Sequence, residues 1–242
     1  MTETSLLSSP LDAGSSRVSV ARSHVGRVRT INEDRVLDCP AARLWAVADG
    51  MGGHSGGDMA AQTVVDRLRA LAASGHCVAL DEVLFALSQA NAAICDRNAA
   101  TASDAGTTVV AATIVGDEAS IAWAGDSRAY RLRDGRLDLL TRDHSVVQEL
   151  VDAGLLTPAQ AQRHPRANVI TKALGVAVEL ECQTLTVTLA PTDRLLLCSD
   201  GLSRSLQPDD VWIGTDAATA ADMMTSALER DGTDNISLVL IR

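Results

Sequence analysis

The sequence predicts an α+β fold in which two antiparallel β-sheets stack as a sandwich with helices on the outside. Three observations carry this prediction. Short apolar runs follow one another closely in the middle of the chain, two amphipathic helix patterns lie side by side before them, and no regular strand–helix alternation is seen. A four-layer α/β/β/α sandwich, with helix pairs flanking the two central sheets, fits this order. Because the 242 residues contain no linker or repeat, we expect one domain over residues 17–242.

The N-terminal part of the chain predicts a leader, two strands and two helices. Residues 1–16 are rich in Ser, Pro and Gly, as flexible segments are. Residues 17–23 alternate as a half-buried strand does, and residues 44–48 form a short buried strand. Ser55 opens a helix with Asp58 as its capping-box partner, and a second helix begins near Asp81. The apolar stripes of the two helices are Ala60, Val64, Leu68 and Leu71, then Val83, Leu87, Ala90 and Ile94.

The rest of the chain is predicted to be mostly strand. Asp134-Gly135 predicts the tight turn of a hairpin, and Thr alternates with Leu and Val over residues 184–189 as in a half-buried strand. The expected strands are 107–115, 119–124, 129–133, 136–140, 184–189, 195–198 and 236–241. The expected helices are 145–153, 158–163 and 217–228.

Composition excludes several classes of function. A net charge of −10 and a pI of about 4.9 argue against a nucleic-acid or anionic-membrane partner. The five cysteines are odd in number and never spaced as CxxC, which favours reduced thiols in a reducing cytosol. No apolar run approaches the roughly 20 residues of a membrane span, and the N-terminus lacks a secretory signal. We therefore expect a cytoplasmic protein without a membrane anchor, and a monomer.

Four apolar runs each carry one aspartate at an end. Asp49 and Asp200 follow buried runs and precede a glycine, Asp126 follows a third run, and Asp234 stands just before the last one. Carboxylates that converge repel one another unless a cation neutralises them. Oxygen ligands of this kind suit Mg²⁺ or Mn²⁺. The pattern therefore favours a metal-dependent hydrolase.

Each of these signals also has an ordinary structural interpretation. The RTINED segment, residues 29–34, reads more readily as a solvated turn when taken alone, and Asp-Gly pairs are common in turns. Scattered histidines such as His54, His144 and His164 usually satisfy loops or caps, and nothing offers Ser127 an activating base. The glycine-rich stretch after Asp49 lacks the lysine and spacing of a nucleotide-binding loop.

The order of the motifs is more specific than any single one. Arg-x-x-Asn-Glu-Asp, Asp-Gly-Met-Gly-Gly, Ala-Gly-Asp-Ser-Arg, Ser-Asp-Gly and Asp-Asn-Ile-Ser follow one another between residues 18 and 242, with TRDHS at 141–145 as a further landmark. Together they resemble the metal-dependent serine/threonine protein phosphatase family PP2C, in its bacterial, stand-alone form. The resemblance implies a sandwich of two antiparallel sheets flanked by helix pairs, with a two-metal centre at one end.

The resemblance also implies roles for individual residues. Asp49 matches the residue that bridges two Mn²⁺ or Mg²⁺ ions, and Gly50 matches the donor of a backbone carbonyl. Asp200 and Asp234 match ligands of one metal.

Further roles follow by position from the same resemblance. Glu33 and Asp34 match residues that act on the other metal directly or through waters. Asp126, together with Asp200, matches the third-metal site of bacterial members. Arg29 matches the arginine that grips the substrate phosphate, and residues 147–174 match the variable flap beside the active site.

One position departs from the family pattern. Animal members carry a histidine after the Asp-Gly pair, which is proposed to protonate the leaving alcohol, and here that place is Met51. A metal-bound water, or else His54, would then have to supply the proton.

The resemblance implies phosphorylated protein substrates, and bacterial members often oppose a threonine kinase, sometimes in type VI secretion. Two alternatives stay open. A catalytically inactive relative that only binds phosphoproteins would be marked by missing acids, but all the expected acids are present. A metal nuclease is opposed by the low pI and by the scarcity of aromatic side chains, 2% of the chain.

Overall fold

A computed structural model describes residues 17–52 and 56–242 as two antiparallel β-sheets packed face to face with helices on both outer surfaces. The predicted leader, residues 1–16, lies outside the described residues, as do His54 and the predicted helix cap Ser55. The strands are β1 Ser19–His24, β2 Asp34–Cys39, β3 Leu44–Met51, β4 Gly106–Thr107, β5 Val109–Val115, β6 Glu118–Ala124, β7 Arg128–Arg133, β8 Arg136–Leu139, β9 Gln183–Thr188, β10 Arg194–Cys198 and β11 Ile236–Ile241.

All strand pairs within the described residues are antiparallel. The first sheet has the order β1-β11-β10-β7-β8, and the second has the order β2-β3-β5-β6-β9 with the short β4 paired to β3. The predicted hairpin is confirmed, because Asp134 and Gly135 both take positive φ between β7 and β8.

The helices cover the outer faces of the sandwich. They are α1 Gly56–Ala72, α2 Leu80–Thr101, α3 Val146–Asp152, α4 Pro158–Ala161, α5 Asp200–Ser203 and α6 Asp216–Arg230. The helices α1 and α2 pack on the second sheet, while α6 and the four-residue α5 form the layer on the first. The four-layer α+β sandwich is therefore confirmed. None of these helices is long and apolar enough to span a bilayer, as judged over the described part of the chain.

The core has three layers of apolar side chains, one between the sheets and one beneath each helical layer. Between the sheets, alternate residues such as Trp45, Val110, Leu197 and Val239 are almost completely buried. The intervening residues of the same strands point outwards to the helices, as the period-two geometry of a strand requires. The predicted stripe of α1 is buried at Ala60, Val64 and Leu68. Packing of these three layers holds the two sheets and the helices against one another.

Strand registry brings the acidic positions to one end of the sandwich. The start of β2 lies opposite the end of β3, with Asp34 paired to Asp49. In the first sheet, the end of β10 lies beside the starts of β7 and β11. Asp126 occupies the turn where the chain crosses from β6 in the second sheet to β7 in the first. Each sheet therefore delivers carboxylates to the same edge.

Two details of this edge differ from the sequence prediction. The apolar run before Asp49 was expected to end at residue 48, but β3 continues through Asp49 and Gly50 to Met51 because this stretch pairs with β2 and β4. Strand β2 was not predicted at all, since its sequence DRVLDC mixes charged and apolar residues without clear alternation.

Candidate metal centre

The predicted acidic residues meet in one cleft of about 500 Å³ at the end of the sandwich. The cleft is lined by seven of the eight residues singled out from the sequence, namely Arg29, Glu33, Asp49, Gly50, Asp126, Asp200 and Asp234. The eighth, Asp34, is only 2% exposed and is the residue opposite Asp49 in the strand pair, so it does not reach the cleft surface. Seven of the eight residues singled out from the sequence therefore share one cleft, and their roles stay a prediction.

Asp34 and Asp126 are carboxylates buried without enough compensation. The Ser199 hydroxyl donates a hydrogen bond to Asp34 Oδ2 at 2.8 Å, but Asp34 Oδ1 finds no partner among the described residues. Asp126 Oδ1 is likewise buried and unpartnered within that set. Burial raises the pKa of each carboxyl to about 7, and the carboxylate of Asp200 adds to the effect in both cases.

Asp49 is a third carboxyl whose ionised form is disfavoured by its surroundings. Burial, followed by the charges of Asp34 and Asp200, raises its pKa well above the ordinary value. Buried carboxylates with free oxygens are costly in a metal-free protein, and a divalent cation would relieve the cost. The donor set of carboxylate oxygens and backbone carbonyls is the one that Mg²⁺ and Mn²⁺ prefer. The residues present therefore fit a hard divalent cation.

Gly50 allows the backbone of helix α1 to approach the strand. A Cβ at Gly50 would collide with the Gly57 carbonyl and lie 2.8 Å from the Glu33 backbone oxygen. A Cβ at Gly57 would in turn lie 2.8 Å from Glu33 Oε1. Only glycine at both positions allows the first turn of the helix, the strand and Glu33 to meet, which keeps Glu33 at the cleft.

The loop that carries Arg29 and Glu33 is held by Asn235, a residue for which the sequence suggested no role. The Asn235 side chain accepts a hydrogen bond from the Glu33 backbone N–H at 2.8 Å and donates to the Val25 and Ile31 carbonyls at 2.9 and 3.0 Å. Three backbone contacts from one amide fix the course of the loop. Asn235 precedes β11 of the first sheet while Glu33 precedes β2 of the second, so this amide also ties the sheets together at the cleft.

Among the described residues, two arginines reach the carboxylates of the cleft. Arg29, half exposed at the cleft mouth, places Nη2 at 2.9 Å from Asp234 Oδ2. Arg204, which was not predicted, contacts Asp200 Oδ2 with Nη2 and lies 3.4 Å from Asp234 Oδ2. Among the described residues, no group of three or more Asp, Glu, His or Cys side chains is close enough together to hold a metal ion without rearrangement. The arginines hold Asp200 and Asp234 instead.

Part of the predicted flap, residues 147–174, forms one side of the cleft. Asn168 and Ile170 line it, and isolated bridges from Ser145 to Ile170 and from Thr107 to Leu174 attach the segment to the sandwich. Asn168 Oδ1 accepts a hydrogen bond from Arg204 Nη1 at 3.2 Å. Arg204 therefore connects the flap with the acidic floor.

The remaining candidate side chains have structural roles. His144 Nδ1 accepts a hydrogen bond from the Gly125 N–H at 3.1 Å, and burial lowers the pKa of this histidine. His164 Nδ1 accepts from a nearby backbone N–H at 3.2 Å. Ser127 is 1% exposed and shares a 2.7 Å hydrogen bond with the Thr108 hydroxyl. None of the histidines within the described residues lines the cleft.

Comparison with known proteins gives consistent matches over most of the chain. A family model described as Protein phosphatase 2C matches residues 22–238. The serine/threonine protein phosphatase PstP of Mycobacterium tuberculosis is 39% identical over 235 residues, which cover 91% of this chain and 44% of PstP. The chain thus spans less than half the length of that relative.

Two solved structures are similar in fold as well as sequence. PppA, described as a key regulatory component of T6SS in Pseudomonas aeruginosa, superposes with a TM-score of 0.84 at 40% identity, covering 95% of this chain and 98% of PppA. The catalytic domain of PstP in complex with two manganese ions gives a TM-score of 0.83 at 36% identity, covering 93% and 97%.

Proposed function

The chain belongs to the protein phosphatase 2C family, and from that premise we propose that it hydrolyses phosphoserine and phosphothreonine in proteins with divalent metal ions as cofactors. The observation that carries the proposal is the convergence of aspartates from both sheets on one cleft, with a buried oxygen on each of Asp34 and Asp126 that has no hydrogen-bond partner among the described residues. A buried carboxylate without a partner is unfavourable unless a cation is to be bound there.

Four residues are proposed as the core metal ligands. Asp49, at the end of β3, would bridge two ions, and Gly50 would contribute its carbonyl. Asp200 and Asp234 would hold one of the ions from the first sheet. The manganese-bound PstP catalytic domain supports two ions, and oxygen ligands suit Mn²⁺ and Mg²⁺ alike.

The remaining acids are proposed to complete the centre. Glu33 lines the cleft and Asp34 lies beneath it, so Glu33 is suited to contact an ion directly or through water and Asp34 to orient that water. Asp126 and Asp200 would form a third-metal site, which the unpartnered Asp126 Oδ1 supports.

The chemistry that divalent ions supply in such a centre is Lewis acidity, which lowers the pKa of water and neutralises phosphoryl oxygens. Arg29 is proposed to bind the substrate phosphate from the cleft mouth, where its half-exposed guanidinium would exchange its contact with Asp234 for one with the anion. Ser127 is buried against Thr108, so it is not available as a nucleophile. We therefore expect direct attack by water, with no phosphorylated enzyme intermediate.

The proton for the leaving alcohol does not come from a described histidine. Met51 lines the cleft where a histidine stands in animal members, and its thioether cannot donate a proton. His144 and His164 are engaged elsewhere. Water in the cleft is the proposed donor, with His54, outside the described residues, as the alternative.

The substrates are proposed to be proteins phosphorylated by a cognate serine/threonine kinase in the cytoplasm. The similarity to PppA supports a link to type VI secretion. We further propose that residues 17–242 act as one catalytic domain behind a leader of 16 residues, and that the protein is a monomer that does not bind nucleic acid.

An inactive phosphoprotein-binding module is the alternative function. It would tolerate loss of metal ligands, because binding a phosphate needs arginine more than carboxylates. All six expected acids are retained and five of them line one cleft, which supports catalysis instead.

The test is hydrolysis of a phosphothreonine peptide with Mn²⁺, with Mg²⁺ and with excess EDTA. We expect activity only with metal, together with a higher Tm in Mn²⁺, since the ion binds the folded state. Asp200→Asn should lower kcat by about 10³ or more at ordinary metal concentrations. The matched control is Asp134→Asn in the exposed β7–β8 turn, which should leave kcat and KM unchanged. Full activity in EDTA, or equal activity of the two variants, would refute the assignment.

A further inference from the structure

Arg204 is a cation that contacts two carboxylates of the acidic cleft. It lies four residues after Asp200, one helical turn further along the segment that begins with α5, and its Nη2 contacts Asp200 Oδ2. The same nitrogen lies 3.4 Å from Asp234 Oδ2, and Nη1 donates to Asn168 Oδ1 at 3.2 Å. One guanidinium thus contacts two proposed ligands of the same metal ion and the flap.

The electrostatic surroundings of Arg204 are those of a metal site. Asp200, Asp234 and Asp126 all stabilise its positive charge. The side chains of Asp200 and Asp234 are 17% and 26% exposed, whereas that of Arg204 is 36% exposed, so Arg204 is the more exposed partner in both ion pairs. A divalent ion at these oxygens would meet a positive charge already in place.

We propose that Arg204 is the resident counter-cation of Asp200 in this centre and shares Asp234 with Arg29, so that it stabilises both carboxylates in the metal-free protein and competes with the divalent ion for them. The proposal rests on the proposed metal centre. Arg204 is a positioning residue, because it acts on the ligands and on the flap rather than on the reacting atoms.

The competition has a thermodynamic signature. If Arg204 stabilises the metal-free protein more than the metal-bound protein, the difference in free energy must appear as weaker metal binding. This follows because metal binding and the contribution of Arg204 to stability belong to one thermodynamic cycle. An ordinary salt bridge between Asp200 and Arg204 would stabilise both states equally and leave metal affinity unchanged. The two interpretations therefore differ in a measurement that does not involve catalysis.

The experiment compares Arg204→Gln with the wild type in Mn²⁺ titrations followed by Tm and by calorimetry. Arg204→Gln should have a lower Tm in EDTA, a Tm close to wild type at saturating Mn²⁺, and half-saturation at a Mn²⁺ concentration roughly fivefold to tenfold lower. Arg204→Lys keeps the charge but loses the planar fork, so it should fall between the two.

The matched control is Arg133→Gln. Arg133 forms a two-point ion pair with Asp193 at 2.7 and 2.5 Å, and its side chain is 40% exposed, similar to Arg204. This pair lies at the opposite end of the sandwich, where β7 ends and β10 begins. Arg133→Gln should lower the Tm equally with and without Mn²⁺ and leave half-saturation unchanged.

Two results would overturn the proposal in different ways. If Arg204→Gln binds Mn²⁺ as weakly as the wild type or more weakly, Arg204 does not compete with the metal, and the phosphatase assignment stands. If Mn²⁺ changes neither the Tm nor the heat signal of the wild type and of the variant, the proposed metal centre itself is wrong, and the role of Arg204 is lost with it.

Discussion

Removal of metal should make the stability of this protein fall as the pH rises. The pKa of Asp34 is raised from 3.8 to about 7, chiefly by burial. In the metal-free folded state this carboxyl keeps its proton to about pH 7, while the unfolded chain releases it near pH 4. The folded state therefore binds more protons, and the stability present below about pH 4 is lost as the pH rises through about 7.

The magnitude follows from the pKa. A change from 3.8 to about 7 corresponds to roughly 4 kcal/mol over the whole window, of which roughly 2–3 kcal/mol is lost between pH 5 and pH 7.5. The pKa of Asp126 is raised to a similar value, but these carboxyls interact, so their contributions do not simply add. Bound Mn²⁺ should reverse the trend, because the metal binds the ionised carboxylates and its binding releases protons.

The assay is urea unfolding in EDTA at several pH values, with the wild type and Asp34→Asn side by side. Asparagine imitates the protonated carboxyl, so the stability of Asp34→Asn should exceed that of the wild type by an amount that grows by roughly 2–3 kcal/mol from pH 5 to pH 7.5. The difference between the two proteins cancels the titrating groups that do not interact with Asp34.

The control for this pH series is Asp193→Asn. Arg133 lowers the pKa of Asp193, so its contribution to stability is present above about pH 4 and lost only below it. Asp193→Asn should therefore lower stability without altering the slope between pH 5 and pH 7.5. A constant difference between Asp34→Asn and wild type across that range would refute the reasoning, because Asp34 would then titrate normally.

Three further predictions concern the loop and strand around the cleft. Arg29→Ala should lower kcat/KM about tenfold to a hundredfold, mainly through KM, because the phosphate is already charged in the ground state; unchanged KM in steady-state kinetics would contradict this. Asn235→Ala should lower both the Tm and kcat/KM, because three hydrogen bonds to the backbone of the loop that carries Glu33 are lost. If the substitution changes only the Tm or only kcat/KM, Asn235 does not position this loop for catalysis. Gly50→Ala should destabilise the protein by more than about 2 kcal/mol in urea unfolding, because the new Cβ would collide with Gly57, and a wild-type midpoint would show that the helix can move away.

Sequence reasoning found the fold class and most strands because burial leaves a strong periodic signal. It failed at β2, where Asp34 and Asp38 interrupt the pattern. It also ended β3 too early, since Asp49 and Gly50 are held in the strand by their partners rather than by their own preference. Cross-strand pairing is a tertiary property that a local pattern does not contain.

Asp49, Asp126, Asp200 and Asp234 could be found from the sequence because each stands beside an apolar run. Glu33 was found only through the family resemblance. Asn235, Ser199 and Arg204 could not be found, because their roles consist of contacts with segments far away in the chain. The one local signal was the four-residue spacing of Asp200 and Arg204, which suits a helical ion pair.

The origin of the carboxylates on two different sheets makes the centre sensitive to sliding of one sheet over the other. Asp34 and Asp49 move with the second sheet, while Asp200 and Asp234 move with the first. The Ser199–Asp34 and Asn235–Glu33 hydrogen bonds join the two sheets at the cleft, and the side chains packed between the sheets set their separation along the rest of the interface. Repacking at Trp45 or Val239, remote from the cleft, would thus alter ligand spacing, so selection for metal affinity can act on the interior of the sandwich without changing a ligand.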